Sequence, residues 1–445
     1  MIQMKLPAYV SVIIDRLNNS GFEAFAVGGC VRDSILGIEP KDYDVTTNAV
    51  PEDIKKALSD FKTIDTGIDF GTVTAISDGN PIEITTYRID GEYSDNRRPE
   101  SVKFTSMLSE DLCRRDFTIN AMAFNNADGV IDLYGGKKDL SDKVIRAIGN
   151  PYERFNEDGL RIMRALRFAA CYNFSIEPET SSAIHDCAFL LKNIAKERIA
   201  IEFNKLICGN CADILRAYSD VLAVIIPEIA DCVGFEQHTK YHNRDVFEHI
   251  IATVDAIAPV KHLRLAMLFH DIGKPQFFTM DENFQGHFKG HAKGSYKIAE
   301  KFLSDFHYDR QTSDKVLKLI ETHDIVIENR EKLIKRYLNR FGEDLLRDII
   351  AVHIADDTGK APEYQSRIDV YNEVYETIDR IIEEKQCFSL NKLAINGNDI
   401  IKLGYKGKSV GLILNRLLDM VIDEEIENSK EVLIAQALRI GGETI

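Results

Sequence analysis

The chain has 445 residues, 71 acidic against 55 basic side chains and a formal net charge of −16. That length suits two to four domains rather than one, and 44% apolar with 28% charged residues excludes wholesale disorder. The acidity argues against indiscriminate nucleic-acid binding, which depends on neutralising phosphates, but leaves room for a local basic footprint. The opening MIQMKLPAYV lacks the basic start and long apolar stretch of a signal peptide. No later run is apolar enough to span a bilayer, so a cytoplasmic location without membrane contact is expected. Eight irregularly spaced cysteines suit reduced thiols, and Cys208 and Cys211 have no second pair nearby for a structural zinc.

In chain order, Leu6 to Asn19 has helical spacing and stops at Gly21. Phe22 to Val27 reads as a buried strand. Gly28 and Gly29 follow, where backbone N–H groups can approach an anion with no Cβ in the way, and Val31 to Leu36 opens a helix whose amino end favours phosphate. Arg32 in its first turn is a candidate triphosphate contact. Asp42 and Asp44 then read as one extended strand and project on its same side, with Tyr43 turned the other way. Two carboxylates that close repel unless a cation lies between them, and Mg²⁺ with hard oxygen ligands is the natural occupant where a nucleoside triphosphate reacts. Pro51 opens a helix over Glu52 to Asp60, and Thr72 to Ile76 pairs with Ile82 to Tyr87 as a hairpin across SDGNP. Glu83 in that hairpin is either a third carboxylate for the metal or a solvent-facing strand residue. Gly91 to Pro99 is a charged loop that either closes over a nucleotide or simply lies on the surface. From Glu110, EDLCRRDFTINAMAF reads as a helix on which Asp116 and Asn120 share a face, and Val130 to Tyr134 as a closing strand. Beyond about residue 140 helical periodicity dominates, giving an α+β chain with an α/β first third.

Four motifs in order, GGCVRD with KDYDV, RRDFTINAMA, DLYGGKKDL and RFNEDGLRIMRALRFA, make the chain resemble the class II, bacterial-type tRNA nucleotidyltransferases. These are the CCA-adding enzymes, which share a polymerase-β-like head with bacterial poly(A) polymerases. The resemblance implies a mixed-sheet head followed by helical neck, body and tail. It implies that Asp42 and Asp44 hold the catalytic Mg²⁺ ions, and that Arg115, Asp116 and Asn120 contact the triphosphate and ribose of the incoming nucleotide. Asp158 and Arg161, three apart on an expected helix, can present an acceptor beside a forked donor, complementing the amino group and ring nitrogen of cytosine or adenine and mismatching G and U. Arg164 and Arg167 follow as candidate phosphate contacts. A helix-surface salt bridge is the plainer alternative for the Asp158 and Arg161 pair.

A second set of residues has different chemistry. His249, His270-Asp271 in MLFHDIGKP and Asp356 resemble the metal site of HD phosphohydrolase domains. Imidazole with carboxylate suits Mn²⁺, Ni²⁺, Co²⁺, Fe or Zn²⁺ better than Mg²⁺ alone; His291 and His323 are candidates for a second ion. The run AINGNDIIKLGYKGKSVGLILNRLLDMV resembles the family's helical tail, which grips tRNA, although a plain helical bundle fits equally. The domain division expected is head 1–140, neck and body 141–235, HD region 236–360 and tail 361–445. The expected activity is template-independent building or repair of the 3′-CCA end of tRNA from CTP and ATP, by two-metal nucleotidyl transfer. The alternatives are addition of the terminal A only, poly(A) synthesis, or hydrolysis of RNA ends at the HD site. The sequence does not define an oligomeric state.

Overall fold

The computed structural model describes residues 4–65, 67–91 and 102–443. It contains two compact units, one formed by Met1–Ala230 with Asp305–His307, the other by Asp231–Ser304 with Tyr308–Ile445. Among the described residues, no helix is long and apolar enough to cross a membrane. The loop expected at Gly91 to Pro99 lies, after Gly91, outside the described residues.

The first unit begins with α1 (Ala8–Asn19), whose buried face is Val10, Ile13, Ile14 and Leu17. Strand β1 (Ala24–Val27) is buried on both faces; α2 (Gly29–Ile35), β2 (Asp44–Thr47), α3 (Pro51–Ala57) and β3 (Lys62–Ile64) follow. The hairpin of β4 (Thr72–Ser77) and β5 (Asn80–Thr86) turns at Asp78 and Gly79, both at positive φ (49° and 79°). That is the two-residue turn whose twist matches paired strands. A small ribbon, β6 (Arg88–Asp90) with β7 (Val102–Phe104), precedes α4 (Leu108–Cys113), β8 (Met122–Asn125) and β9 (Gly129–Asp132). The seven-stranded mixed sheet runs β3-β4-β5-β2-β1-β8-β9. Only β2 and β5 pair in parallel within it.

The single helix expected over EDLCRRDFTINAMAF does not form. Helix α4 ends at Cys113, a 3₁₀ turn covers Thr118–Asn120, and the segment continues as β8. Every residue from Asp116 to Asn125 is buried, and the short apolar stretch within it, Ala121 to Phe124, fits either element until a partner decides. Here β1 is the partner, with Val27 opposite Ala123. Asp42 also lies just outside the strand, which starts at Asp44.

Helices α5 (Gly136–Asp142), α6 (Pro151–Glu157), α7 (Leu160–Tyr172), α8 (Pro178–Asp186) and α9 (Lys196–Ile207) continue this unit, α7 packing along α9. The helical part is not purely helical. Val144–Ile145 pairs with Ser175–Ile176, and Thr279–Met280 with Gly286–His287; in the second ribbon Asp281 accepts from the N–H of Asn283 and Gln285 and so shapes the turn.

In the second unit the helices Val246–Ala256, Lys261–His270, Arg310–Thr322 and Glu343–Gly359 pack on one another. Its last helices, Gly397–Lys402, Lys408–Ile422 and Lys430–Glu443, enclose Ile400, Ile413, Leu417, Leu418 and Leu433. Asn396 and Asp399 form a capping box at the first of them, and Gly407 at φ 61° starts the second.

Candidate active site and metal cluster

Gly28 turns the chain from β1 into α2 at φ 78°, ψ −127°, backbone that side chains avoid. A Cβ there would also meet Arg115 Nη1 at 3.1 Å, so the guanidinium lies against the glycine. Where the chain enters β2, Tyr43 is buried and packs edge-on against Tyr9, while Asp42 and Asp44 remain exposed and line one cavity. Burial among protein atoms pushes the Asp44 carboxyl up; Arg115 opposes this, Glu83 and Asp42 add to it, and the result is about 6. Glu83 stands opposite Asp44 in the parallel register of β2 and β5 and is exposed. It is thus close enough to act on Asp44 electrostatically although it does not line the cavity.

That cavity has a volume of about 430 Å³, the size range of a small-molecule site. It brings together Gly28, Gly29, Arg32, Asp42, Asp44, Arg115, Asp116, Asn120, Asp158, Arg161, Arg164 and Arg167, every residue singled out for the nucleotide from the sequence. Arg114 and Phe168, which the sequence motifs do not mark as site residues, line it too. Phe168 follows Arg164 by four positions on α7, a helical spacing that could have marked it.

The basic side chains are held by a chain of buried contacts. Arg32 Nη1 donates to Asn120 Oδ1 at 2.5 Å, and Asn120 Nδ2 to Asp116 Oδ1 at 2.9 Å. Asp116 also accepts from the Phe117 N–H at 2.8 Å and from Arg164 Nε and Nη2 at 2.8 and 2.5 Å. Its roughly four acceptor positions are therefore filled from within the protein, which makes it the anchor of Asn120 and Arg164 before any ribose arrives. Burial would raise its carboxyl, but Arg164 and then Asn120 hold it at about 2. Arg167 pairs with Glu202 at 2.8 Å and lies 3.8 Å from the Phe168 ring centre, against whose ring Arg32 also sits at 5.1 Å. Beneath them Asp111, fully buried, accepts from Arg114, Thr46 and Arg115.

Asp158 and Arg161 do not share one helix as expected. Helix α6 stops at Glu157, Asp158 has extended backbone (φ −138°, ψ 102°), and α7 begins at Leu160. The break arises because Asp158 Oδ1 accepts the Leu160 N–H at 3.1 Å, a local bond that competes with helix continuation. Nor do the two side chains pair with each other. Arg161 binds Glu157 Oε2 at 2.6 Å and the carbonyls of Arg154 and Arg114 at 3.0 and 2.8 Å, whereas Asp158 pairs with Arg198 at 3.0 Å.

In the second unit, His249, His270, Asp271 and Asp356 offer ligand atoms all within 4.8 Å of one another, and Asp271 does the same with His291 and His323. His249 Nε2 is 3.0 Å from Asp356 Oδ1 and 3.1 Å from Asp271 Oδ2; His291 Nε2 is 3.1 Å from Asp271 Oδ1. The two oxygens of Asp271 thus face the two histidine sets. In all four imidazoles Nδ1 sits against a backbone carbonyl, of Gly359, Met267, Phe288 and Ile320 at 3.2, 2.6, 2.9 and 2.7 Å. This is the outer-shell bond that fixes a tautomer with Nε2 turned to a metal. Gly359 is required for it, since a Cβ there would meet His249 Nδ1 at 2.8 Å. Burial would lower His270, but Asp271 and Asp356 raise it to about 10, and Lys274 Nζ, 2.6 Å from Asp271 Oδ2, adds another cation.

A family model for the poly(A) polymerase head domain matches residues 24–146. One described as "Probable RNA and SrmB-binding site of polymerase A" matches 173–232, and one for tRNA nucleotidyltransferase domain 2 matches 290–437. The CCA-adding enzyme of Pediococcus pentosaceus is 33% identical over 426 residues, 95% of either chain. That of Ligilactobacillus salivarius is 32% identical over 96% of this chain and 95% of its own. Among solved structures, the Bacillus stearothermophilus CCA-adding enzyme in complex with CTP superposes with a TM-score of 0.73 at 27% identity, covering 99% of both chains. A tRNA nucleotidyltransferase complexed with a primer tRNA and an incoming ATP analog gives 0.56 at 25% identity, covering 82% of this chain and 99% of its own.

Proposed function

The chain belongs to the family of CCA-adding enzymes, and we infer that it builds or repairs the 3′-terminal CCA of tRNA from CTP and ATP without a template strand, releasing pyrophosphate. The observation that carries the residue-level assignment is that the twelve positions chosen from the sequence line one cavity. Asp42 and Asp44, exposed carboxylates with Glu83 close by, form an all-oxygen donor set suited to Mg²⁺. Burial is the main cause of the upward shift of Asp44, and Glu83 and Asp42 add to it the like-charge repulsion that a divalent cation relieves. Magnesium bound there would lower the pKa of the primer 3′-hydroxyl and neutralise the departing pyrophosphate. Arg32, Arg115, Arg164 and Arg167 supply fixed positive charge for the triphosphate, already oriented by Asn120, Asp111, Asp116 and Glu202, so little reorganisation accompanies the reaction. Gly28 and Gly29 let the backbone approach the phosphates. Asp158 and Arg161 read the base edge, accepting from the amino group of C or A and donating to its ring nitrogen. No covalent enzyme intermediate is required.

The test is incubation of tRNA lacking its last three nucleotides with CTP and ATP, singly and together. Stepwise CCA addition is expected, and incorporation of A alone would reject it. Asp42→Ala should abolish incorporation with tRNA binding retained; substantial residual incorporation would reject the two-carboxylate assignment.

A second activity is favoured by one specific observation, the paired histidine sets sharing Asp271 with every Nδ1 held by a carbonyl. We propose that this is an HD-type metal centre with His249, His270, Asp271 and Asp356 as ligands and His291 and His323 toward a second ion. Its nitrogen and oxygen donors fit Mn²⁺, Ni²⁺, Co²⁺, Fe or Zn²⁺. Such ions would supply Lewis-acid activation for phosphoester hydrolysis. Hydrolysis of a generic phosphodiester with added Mn²⁺ or Ni²⁺ that is lost in His270→Ala and kept in Asp42→Ala is the expected result; hydrolysis unchanged in His270→Ala would reject it.

A further inference from the structure

Of the two residues assigned to the base edge, Asp158 is held by a side chain that does not line the cavity. Asp158 lies in the break between α6 and α7, its N–H closing the last turn of α6 on the Arg154 carbonyl and its carbonyl accepting from the Arg161 N–H, so the backbone is tied down and the side chain depends on its own partners. Its Oδ1 accepts the Leu160 N–H at 3.1 Å and its Oδ2 the Arg198 Nη2 at 3.0 Å. The first bond comes from its own chain two residues on and tolerates rotation of the carboxylate; the second comes from α9 and fixes the plane. Arg198 does not line the cavity. Its Nη1 is buried with no hydrogen-bond partner among the described residues, so the guanidinium leaves one donor unused while it holds Asp158.

One turn further along α9, Glu202 does the corresponding work for the phosphate side, pairing with Arg167 at 2.8 Å and Arg164 at 3.9 Å. The same helix therefore holds the base reader with a cation and the phosphate arginines with an anion.

We propose that Arg198 is a positioning residue for nucleobase selection: by pinning Asp158 Oδ2 it keeps the remaining lone pairs of the carboxylate aimed at the exocyclic amino group of C or A. The proposal rests on the assignment of Asp158 as base reader. Cytosine and adenine present an amino donor where uracil presents a carbonyl acceptor, so a fixed carboxylate both attracts the correct base and repels the wrong one. A carboxylate free to turn loses both effects. Displacing a positioning group by about 1 Å costs up to about 10²-fold, and here that loss falls on discrimination.

The experiment measures kcat and KM for single-nucleotide incorporation of CTP, ATP, UTP and GTP by the full chain and by Arg198→Met, Arg198→Lys, Glu202→Gln and Asp158→Ala. Arg198→Met should lower the CTP-to-UTP ratio of kcat/KM by about tenfold or more. Arg198→Lys, which keeps a charged donor, should restore most of it, and Glu202→Gln should raise KM for all four nucleotides alike. Equal losses for all four nucleotides in Arg198→Met would mean a merely structural role and overturn the proposal. So would an unchanged ratio in Arg198→Met alongside a collapsed ratio in Asp158→Ala. If Asp158→Ala itself preserves the ratio, the assignment of the base reader fails and the proposal with it. Should Arg198→Met not fold, Arg198→Gln replaces it and the same ratios decide.

Discussion

Replacing Asp116 by asparagine keeps the shape of the side chain and removes its charge. The carboxylate is 7% exposed and takes bonds from Asn120, the Phe117 N–H and both Arg164 donors. Whichever way the amide is turned, its NH₂ faces either Arg164 or the two other donors, so at least one bond becomes a donor-to-donor contact. Arg164 would be left with Glu202 at 3.9 Å. The displacement of Asp116 from 3.8 to about 2 corresponds to about 2–3 kcal/mol. Unpairing a buried ion pair typically costs about 3–5 kcal/mol. Taking about 3 kcal/mol, local opening becomes about 10²-fold more frequent. Hydrogen exchange of the amides in α7, read by mass spectrometry, is the assay, alongside KM for CTP, which should rise because Arg164 loses its orientation. A carboxyl whose folded value lies below its unfolded value stabilises above the unfolded value and loses that contribution as pH falls toward the folded one. The excess exchange of Asp116→Asn over the parent, after correction for intrinsic rates, should therefore be equal at about pH 5.5 and 7.5, both above that window. Exchange accelerated less than about threefold, with KM unchanged, would refute the anchoring role.

Asp44→Asn should abolish nucleotide addition yet raise the melting temperature in chelator at neutral pH. The upward shift to about 6 means that the ionised carboxylate destabilises the fold above that pH; its exposure to solvent reduces the gain to about 1–3 °C. A lower melting temperature would contradict this. Gly28→Ala places a Cβ at positive φ against Arg115; a cost of about 1–3 kcal/mol with a raised KM for both nucleotides is expected, and unchanged kinetics would mean that the turn does not shape the phosphate site. In the second unit, His249→Ala should lower transition-metal affinity by about 100-fold or more, beyond what loss of a supporting partner costs. Plasma mass spectrometry after dialysis measures this directly, and CCA addition should be unaffected.

The sequence was most informative where chemistry is local. Gly28-Gly29, the Asp-Tyr-Asp triplet and the run of arginines from Arg161 to Arg167 needed only spacing to be recognised, and the hairpin at Asp78-Gly79 only its turn residues. It was less informative where a distant partner decides. The segment from Asp116 to Asn125 has enough apolar residues for a helix, and only β1 alongside makes it a 3₁₀ turn and a strand. Asp158 and Arg161 look like an i,i+3 pair, but the Leu160 N–H bond breaks the helix between them and sends each to another partner. Arg198 and Glu202 carry no local sign of their contacts, because what they hold lies 35 to 40 positions away in the chain.

The residue types and their order in the chain determined by themselves that this protein carries two carboxylates one residue apart beside a glycine turn, a run of arginines and a separate histidine and aspartate set. The tertiary structure alone decided that the first two groups line one cavity, that Asp116 is already saturated by Asn120, Phe117 and Arg164, and that Asp271 turns one oxygen to each set of histidines. The physical reason is that backbone preference and side-chain chemistry are properties of neighbours in sequence. The pairing of buried charges depends instead on which helix or strand, packed from far along the chain, supplies the partner.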